Sequence, residues 1–441
     1  MSTPVNDVVE GLLTKFADRT AVVGVVGLGY VGLPFAVEKA KVGFQVIGID
    51  QNPRRAEMVA KGENFIKDVD DAELRELVEK GLITAVSDFD RISEMDAVVI
   101  AVPTPLNANL APDLSYIVSV TKSIAPHLRK GQLISLESTT FPGTTEEIML
   151  PILAESGLVV DRDYFLTHSP ERVDPGNARY TTKNTNKIVG GVGQNSLQVG
   201  MAFYGATLDH VVPVSSAKAA EMVKVFENTF RAVNIALVNE LLMLCDRMDI
   251  NVWEVLEAAN TKPFGIMRFM PGPGVGGHCI PLDPHYLEWK AREYNFCTRF
   301  IALAGEINRS MPEFTRDKAM RVLNDQQKSL NGSKIHIIGI AYKKDIDDWR
   351  ESPAIEVMLE LEKAGAIVSY WDPFVPSFEG HGMAKSSQQL TPEVVSGADM
   401  ILIATDHTDT DYEFIVRHAK VVLDTRNATK NVLDRSKVTL L

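Results

Sequence analysis

The stretch AVVGVVGLGYVGLPFAVEKAKVGFQVIGID, residues 21–50, decides the fold. Its opening, AVVGVVG (21–27), is the apolar, β-branched run of a strand buried in a parallel sheet. GLGYVG (27–32) follows, then the helix-compatible PFAVEKAKVG, then a second strand, FQVIGID, that ends on Asp50. Strand, glycine turn, helix, strand and terminal acid thus fall within about 30 residues, the spacing of a dinucleotide-binding unit. Gly27 permits the tight turn, Gly29 lets the backbone approach a pyrophosphate, and Gly32 allows helix and strand to pack closely. The helix N-terminus adds free N–H groups and partial positive charge. Asp50 can accept hydrogen bonds from both ribose hydroxyls and would repel a 2′-phosphate, which favours NAD over NADP. Arg54 and Arg55, close by, weigh the other way. A flavin site, or a glycine turn that serves packing alone, are the competing readings.

Outward from this unit, DAVVIAVPTP (96–105) and GQLISLESTT (131–140) read as later strands of the same sheet. Each ends in Pro, Ser or Thr, as loops do at the carboxyl edge of a doubly wound sheet, where ligands bind. From Ala217 to about Met248 the chain has neither proline nor glycine. Apolar residues recur at Met222, Val225, Phe226, Phe230, Val233, Ile235, Leu237 and Leu241, which predicts one long helix. Such a helix is a domain connector or a subunit interface, with a core helix of one domain as the alternative. After residue 330 the pattern partly repeats. KIHIIGIAYK (334–343) is a strand and small-residue turn, ESPAIEVMLELEKAG a helix, and AIVSYWDP a strand ending on Asp372. SGADMILIATDH (396–407) and AKVVLDTRN (419–427) add two more strands. The second turn, Gly339-Ile340-Ala341, lacks the full glycine set, so it should bind something other than a dinucleotide pyrophosphate. Lys343 in that turn suggests a phosphate contact by charge. The expected fold class is therefore α/β, with two Rossmann-like doubly wound domains joined by a long central helix.

A chain of 441 residues is too long for one typical core. Its 45% apolar and 23% charged fractions are those of a soluble globular protein. No apolar run reaches the ~18 to 20 residues of a bilayer span. The N-terminal MSTPVNDVVEGLLTKFADRT reads as a short amphipathic helix rather than a signal peptide. The net charge of −13 argues against a general nucleic-acid or membrane-surface binder. Cys245, Cys279 and Cys297 show no C-x-x-C spacing, which excludes a disulfide framework or a zinc set and fits a reducing cytoplasm. No metal site is expected.

The second segment that carries chemistry is PGPGVGGHCIPLDP (271–284). Gly272, Gly274, Gly276 and Gly277 leave a nearly bare backbone, suited to wrapping a polar ligand. Cys279 follows directly, and Asp283 comes four residues later. Most cysteines are inert small apolar side chains, and Cys245 inside the long helix is read as one. A cysteine in a glycine-rich loop has little core around it, so Cys279 reads as a nucleophile, against inert or metal-bound alternatives. On the long helix, in AAEMVKVFENTF, Lys224 and Asn228 lie four apart and share a face. They form either a directed pair or solvated surface. In HSPERVDPGNA (168–178), Glu171 and Arg172 are by themselves only loop salt-bridge candidates.

Taken together, VVGLGYVGLPFA, VPTPL, ESTTFPGTT, SPERVDPG, AAEMVKVFENTFRAVNIALVNE, PGPGVGGHCIPLDP and AYKKDIDDWRESPA resemble the UDP-glucose/GDP-mannose 6-dehydrogenase family over nearly the whole chain. The resemblance implies an NAD domain over residues 1–205, a central helical dimerisation domain over 206–315 and a UDP-sugar-binding domain over 316–441. It also implies a four-electron oxidation of a primary alcohol to a carboxylate with two NAD, through a thiohemiacetal and a thioester on Cys279. In the roles it implies, Lys224 stabilises the oxyanion at C6, and Asn228 and Thr140 hold water or a substrate oxygen. Asp283 acts in proton transfer, and Glu171 serves thioester hydrolysis. The cofactor-binding set expected is Gly27, Gly29, Tyr30, Val31, Gly32, Asp50, Arg55, Pro103, Thr104, Ser138 and Arg350. The substrate-binding set is Arg172, Lys224, Asn228, Gly274, Gly276, His278, Tyr342, Lys343 and Arg426, with Lys343 and Arg426 on the diphosphate. Arg172 and His278 resemble the branch acting on UDP-N-acetylhexosamines. TKPF…PGPGVGGHCIPLDPHYLEWKA looks most like its UDP-N-acetylglucosamine members, with the mannosamine and glucose substrates as alternatives. Arg268 carries no role from the resemblance. A non-catalytic NAD-sensing scaffold would keep the first glycine turn but need neither Cys279 nor Lys224.

Overall fold

The computed structural model describes residues 5–66, 69–107, 109–173, 179–277 and 279–441. It divides into two compact units, one of residues 1–227 and 285–296, the other of residues 228–284 and 297–441.

In the first unit the strands are β1 (Val22–Val26), β2 (Gln45–Ile49), β3 (Ile83–Val86), β4 (Ala97–Ile100), β5 (Leu133–Leu136), β6 (Phe165–His168), β7 (Lys187–Gly191) and β8 (Val211–Val214). They pair in the order β3-β2-β1-β4-β5-β6-β7-β8. The first six stand in the order of a dinucleotide-binding sheet. All neighbours are parallel except β6 and β7, where Thr167 faces Gly191 and His168 faces Gly190 in antiparallel register. Alternate side chains fill opposite layers: Val23, Val25 and Val46 enter one core cluster, Val26, Ile47 and Ile49 the other. Helix Val5–Ala17 closes the first layer with Val9, Leu12 and Phe16, the last 5.3 Å from the ring of Phe203. The amphipathic N-terminal segment is thus part of the core.

The second unit holds β9 (Lys334–Ile338), β10 (Ile367–Trp371), β13 (Met400–Ile403), β14 (Val422–Asp424) and β15 (Val438–Leu440) in the parallel order β10-β9-β13-β14-β15, with a hairpin of β11 (Ser377–Gly380) and β12 (Met383–Ser386) apart. It repeats the half-unit read from the sequence. Helix Pro353–Lys363 follows the Gly339 turn, capped by the Ser352 hydroxyl. The proline- and glycine-free stretch is a single helix, Ala217–Met248. Among the described residues, no helix is long and apolar enough to cross a membrane.

Candidate active site

The first glycine turn behaves as its residues require. Gly27 has φ +94°, and a Cβ there would stand 2.4 Å from the Ala101 carbonyl oxygen. A Cβ on Gly32 would stand 1.8 Å from the Gly27 carbonyl oxygen. At Gly29, by contrast, a Cβ would meet nothing within 4 Å, so this backbone is left open to a ligand. Helix Gly32–Lys41 starts from Val31 without a side-chain cap; Leu33 and Phe35 donate their N–H groups to the Gly29 and Val31 carbonyls at 3.1 and 3.3 Å, so what its N-terminus offers an anion is the partial positive charge of the helix. The Asp50 carboxylate is fixed by accepting from the Leu28 N–H at 3.0 Å and the Asn52 N–H at 2.8 Å. Each oxygen keeps lone-pair capacity for ribose hydroxyls, so the residues present fit NAD.

Around this turn the sequence-predicted residues divide. Tyr30, Pro103 and Arg55 are exposed, with the Arg55 guanidinium 5.7 Å from the Phe65 ring centroid. The Ser138 hydroxyl donates to the Val102 carbonyl at 2.7 Å and accepts from its N–H at 3.0 Å. The Thr104 hydroxyl donates to the Thr139 carbonyl at 2.7 Å, and Tyr286 donates its phenol to the Thr104 carbonyl. Ser138 and Thr104 therefore brace the loops after β4 and β5. The Thr140 hydroxyl is buried and, among the described residues, has no hydrogen-bond partner. In the same unit, Glu171 accepts the N–H groups of Arg172 at 2.9 Å and Val173 at 2.8 Å, and the Lys187 ammonium at 2.9 Å. Burial pushes the Glu171 carboxyl up, but the charge and hydrogen bond of Lys187 hold it below the usual carboxylate range. Arg172 spends its guanidinium on Glu227, at 2.5 and 3.2 Å, and on the Asn186 carbonyl at 2.6 Å.

In the second unit the glycine–cysteine segment and the strand-edge turns come together. Gly272 donates its N–H to Asn239 at 3.0 Å, and Asn239 donates in turn to Asn308 at 3.0 Å. A Cβ on Gly272 would stand 2.3 Å from an Arg426 guanidinium nitrogen. On Gly276 it would stand 2.7 Å from Pro353 and 2.8 Å from Tyr342, and on Gly274 2.9 Å from Pro353. These glycines were expected to bare the backbone for a ligand. In the structure they clear space for Pro353, Tyr342 and Arg426, so four of the expected substrate residues (Gly274, Gly276, Tyr342 and Arg426) form one cluster. Beyond them Cys279 is exposed, its carbonyl accepting the Asp283 N–H at 2.9 Å. Asp283 is buried and accepts from the Asn228 amide at 2.5 Å. Lys224, buried to 9% exposure, lies one turn before Asn228 on the long helix. Lys343 is half-buried, and Arg350 is exposed and bonded to Asp348 at 2.9 and 2.8 Å. Arg350 belongs to the second unit, whereas the other cofactor-binding residues expected belong to the first. His278 lies outside the described residues. Among these, no group of three or more His, Cys, Asp or Glu side chains is placed to hold a metal ion.

The Asp372 carboxylate shows why the second turn is different. Its Oδ2 accepts the N–H groups of Ile340 at 2.7 Å and Ala341 at 3.0 Å, and contacts His407 Nε2 at 3.0 Å. Its Oδ1 accepts from Phe374 and Val375 at 2.8 and 3.1 Å. The acid that would face a ribose is consumed internally.

Sequence reasoning missed Glu137, Lys187, Glu221, Asn239 and Asn308. The signal for Asn239 was present, a polar residue inside an apolar helix, and it is fully buried. Lys187, at the start of KIVGG, reads as an ordinary strand flank because the reversal of β7 leaves no mark on periodicity.

Residues 21–208, 218–310 and 336–431 match in turn the NAD binding, central and UDP binding domains of the UDP-glucose/GDP-mannose dehydrogenase family. A UDP-N-acetyl-D-mannosamine dehydrogenase of Methanococcus maripaludis is 34% identical over 430 residues, covering 93% of either chain. A UDP-N-acetyl-D-glucosamine 6-dehydrogenase of Salmonella typhi is 33% identical, covering 87% of this chain and 89% of the relative. The solved UDP-D-ManNAc dehydrogenase of Pyrococcus horikoshii superposes with TM-score 0.84 at 32% identity, covering 92% of this chain and 96% of that one. With an open glycine turn, a fixed ribose acid and all three domains matched, the chain belongs to the UDP-glucose/GDP-mannose dehydrogenase family and is an NAD-dependent UDP-sugar dehydrogenase.

Proposed function

We propose that the chain oxidises the C6 hydroxyl of a UDP-N-acetylhexosamine to a carboxylate, with UDP-N-acetylglucosamine as substrate and UDP-N-acetylglucosaminuronate as product. The observation that carries the chemistry is the buried Asn228–Asp283 hydrogen bond, with Asp283 four residues after Cys279 and Asn228 one turn after Lys224. NAD, which the Gly27–Gly32 turn and Asp50 would hold, would supply the hydride acceptor for each of two oxidations at C6. After the first, the Cys279 sulfur adds to the aldehyde carbon and the thiol proton passes to the aldehyde oxygen. The thiohemiacetal stays in place and keeps one C–H. Loss of that hydrogen as hydride, and of the hydroxyl proton, leaves a thioester. Water then breaks the C–S bond and releases the carboxylate and the thiol. Lys224 stabilises the oxyanion at C6. Asn228 and the Thr140 hydroxyl, which has no hydrogen-bond partner among the described residues, hold oxygen atoms of substrate or water. Asp283 takes part in proton transfer, and Glu171 serves the hydrolysis.

The mannosamine epimer is the second reading, favoured by the name of the Methanococcus relative; glucose is the third. The three-domain division at 1–205, 206–315 and 316–441, the cytoplasmic location and a homodimer through the long helix belong to the same proposal. Cys245, Cys279 and Cys297, with no C-x-x-C spacing among them, support a reducing compartment. A panel of UDP-sugars with NAD tests the reaction, and two NADH per UDP-N-acetylglucosamine are expected. Turnover with UDP-N-acetylmannosamine alone selects the second reading, and turnover with UDP-glucose alone removes the acetylated sugar. Cys279→Ser is expected to bind both ligands yet form no acid. Full acid production by that variant sinks the thioester route.

A further inference from the structure

Behind the loop that carries Glu171 lies a buried charge cluster to which the family resemblance gave no role. The Lys187 ammonium, 4% exposed, sits 2.9 Å from Glu171 and 3.0 Å from Glu137. Glu137 directly follows β5, and its other oxygen accepts the Tyr204 phenol at 2.8 Å, which itself meets the Ser135 hydroxyl at 2.8 Å. Because β7 runs antiparallel to β6, its first residue stands at the carboxyl edge of the parallel strands, where ligands of such sheets bind. The other titratable groups facing the cluster are His168 on β6 and Lys39 on helix Gly32–Lys41. Both ring nitrogens of His168 are buried with no hydrogen-bond partner among the described residues, and burial pushes its pKa down to about 3, so it is neutral. Burial likewise lowers Lys39. Lys187 is raised: burial disfavours its charge, but Glu137 and Glu171 together outweigh that.

We propose that Lys187 is a positioning residue for the hydrolytic half-reaction, holding Glu171 ionised and aimed while Glu137 and Tyr204 hold the lysine. This rests on Glu171 serving the hydrolysis. Two backbone N–H groups fix one Glu171 oxygen, and the ammonium fixes the other. The carboxylate therefore cannot rotate, and it accepts a proton from an attacking water without first having to ionise. Burial pushes the Glu137 carboxyl up while the charge of Lys187 pulls it down, and as a second partner it explains why a lysine is tolerated there: without it the ammonium would face only one carboxylate in a buried site.

The test is the pH dependence of acid formation, together with the covalent adduct on Cys279 detected by intact-protein mass spectrometry during turnover. In Lys187→Met the adduct should accumulate, and the acid limb of the hydrolysis profile should move to higher pH by about one unit or more, the size of a lost opposite charge. Lys187→Arg should restore both. If Lys187→Met does not fold, Lys187→Met/Glu137→Gln removes the lysine with the charge it would strand, and the same upward shift is expected. Glu171→Gln should accumulate the adduct at every pH. Adduct accumulation in Glu171→Gln with a native acid limb in the lysine variants overturns the proposal and leaves Glu171 standing. No accumulation in Glu171→Gln removes the Glu171 role itself.

Discussion

Glu221 shows how much one side chain does in this chain. It lies one turn before Lys224 on the long helix, 1% exposed, and accepts the N–H groups of Gly143 and Thr145 and the Thr145 hydroxyl. Those donors favour its carboxylate, yet burial dominates and pushes the pKa up to about 7. A raised acid pKa means the fold prefers the protonated form. Its contribution to stability is whole below the ordinary carboxyl range, near pH 4.5, and is lost as pH rises through 7. The shift corresponds to about 3 kcal/mol at most. Melting temperatures measured from pH 4.5 to 8 should therefore decline with a component that Glu221→Gln abolishes. An unchanged slope in that variant would show that the carboxyl is ionised throughout. The linkage has a consequence for the site, since Glu221 ties the ESTTFPGTT loop, and hence Thr140, to the helix of Lys224 and Asn228. None of this was legible in the sequence, where a glutamate on a helix reads as solvated surface.

Among the elements, the two glycine segments look alike in sequence and act differently. In GLGYVG each glycine had a stated reason, and Gly27 and Gly32 meet it through the close backbone approaches they permit. That reading succeeded because strand–turn–helix geometry is local, set by residues within a few positions of one another. PGPGVGGHCIPLDP was not legible in this way. Its glycines face Pro353, Tyr342 and Arg426, some 66 to 154 residues further along, as Gly276 to Tyr342 and Gly272 to Arg426 show. No spacing rule reports contacts of that range. The reversal of β7, the β11–β12 hairpin and β15 escaped for the same reason, because periodicity carries neither direction nor partner. The contrast can be measured in one pair of variants. Gly29→Ala adds a methyl that meets no protein atom, so stability should hold while the KM for NAD rises about tenfold, or 1.4 kcal/mol. Gly276→Ala places its methyl 3.1 Å from the Glu351 carbonyl as well as against Pro353 and Tyr342, and should cost about 1–3 kcal/mol in thermal stability. Equal stability of the two variants would mean that the glycine–cysteine segment yields freely.

For the molecule as a whole, the helix Ala217–Met248 carries a row of exposed large apolar side chains. Met222, Phe226, Phe230, Leu237, Leu244 and Met248 follow one another at intervals of four or seven residues, which puts them on one face. All are exposed, with Phe226 at 59% and Leu237 at 61%. A monomer rarely leaves a stripe of large apolar side chains in water. Each Leu or Phe that it buries is worth roughly 1.5–3 kcal/mol. The net charge of −13 opposes a chance association of two copies, so a second copy must gain its affinity from such local apolar contact. A two-fold interface presents the same patch twice, so one substitution acts at two places. Leu237→Asp buries a carboxylate with no partner in each half, a cost of several kcal/mol per interface. Sedimentation velocity should therefore find two chains together in the native protein and one folded chain in Leu237→Asp, with circular dichroism unchanged because the residue is outside the protomer's core. A native protein that sediments as a single chain, or a variant that still sediments as two, removes this helix as the dimer interface.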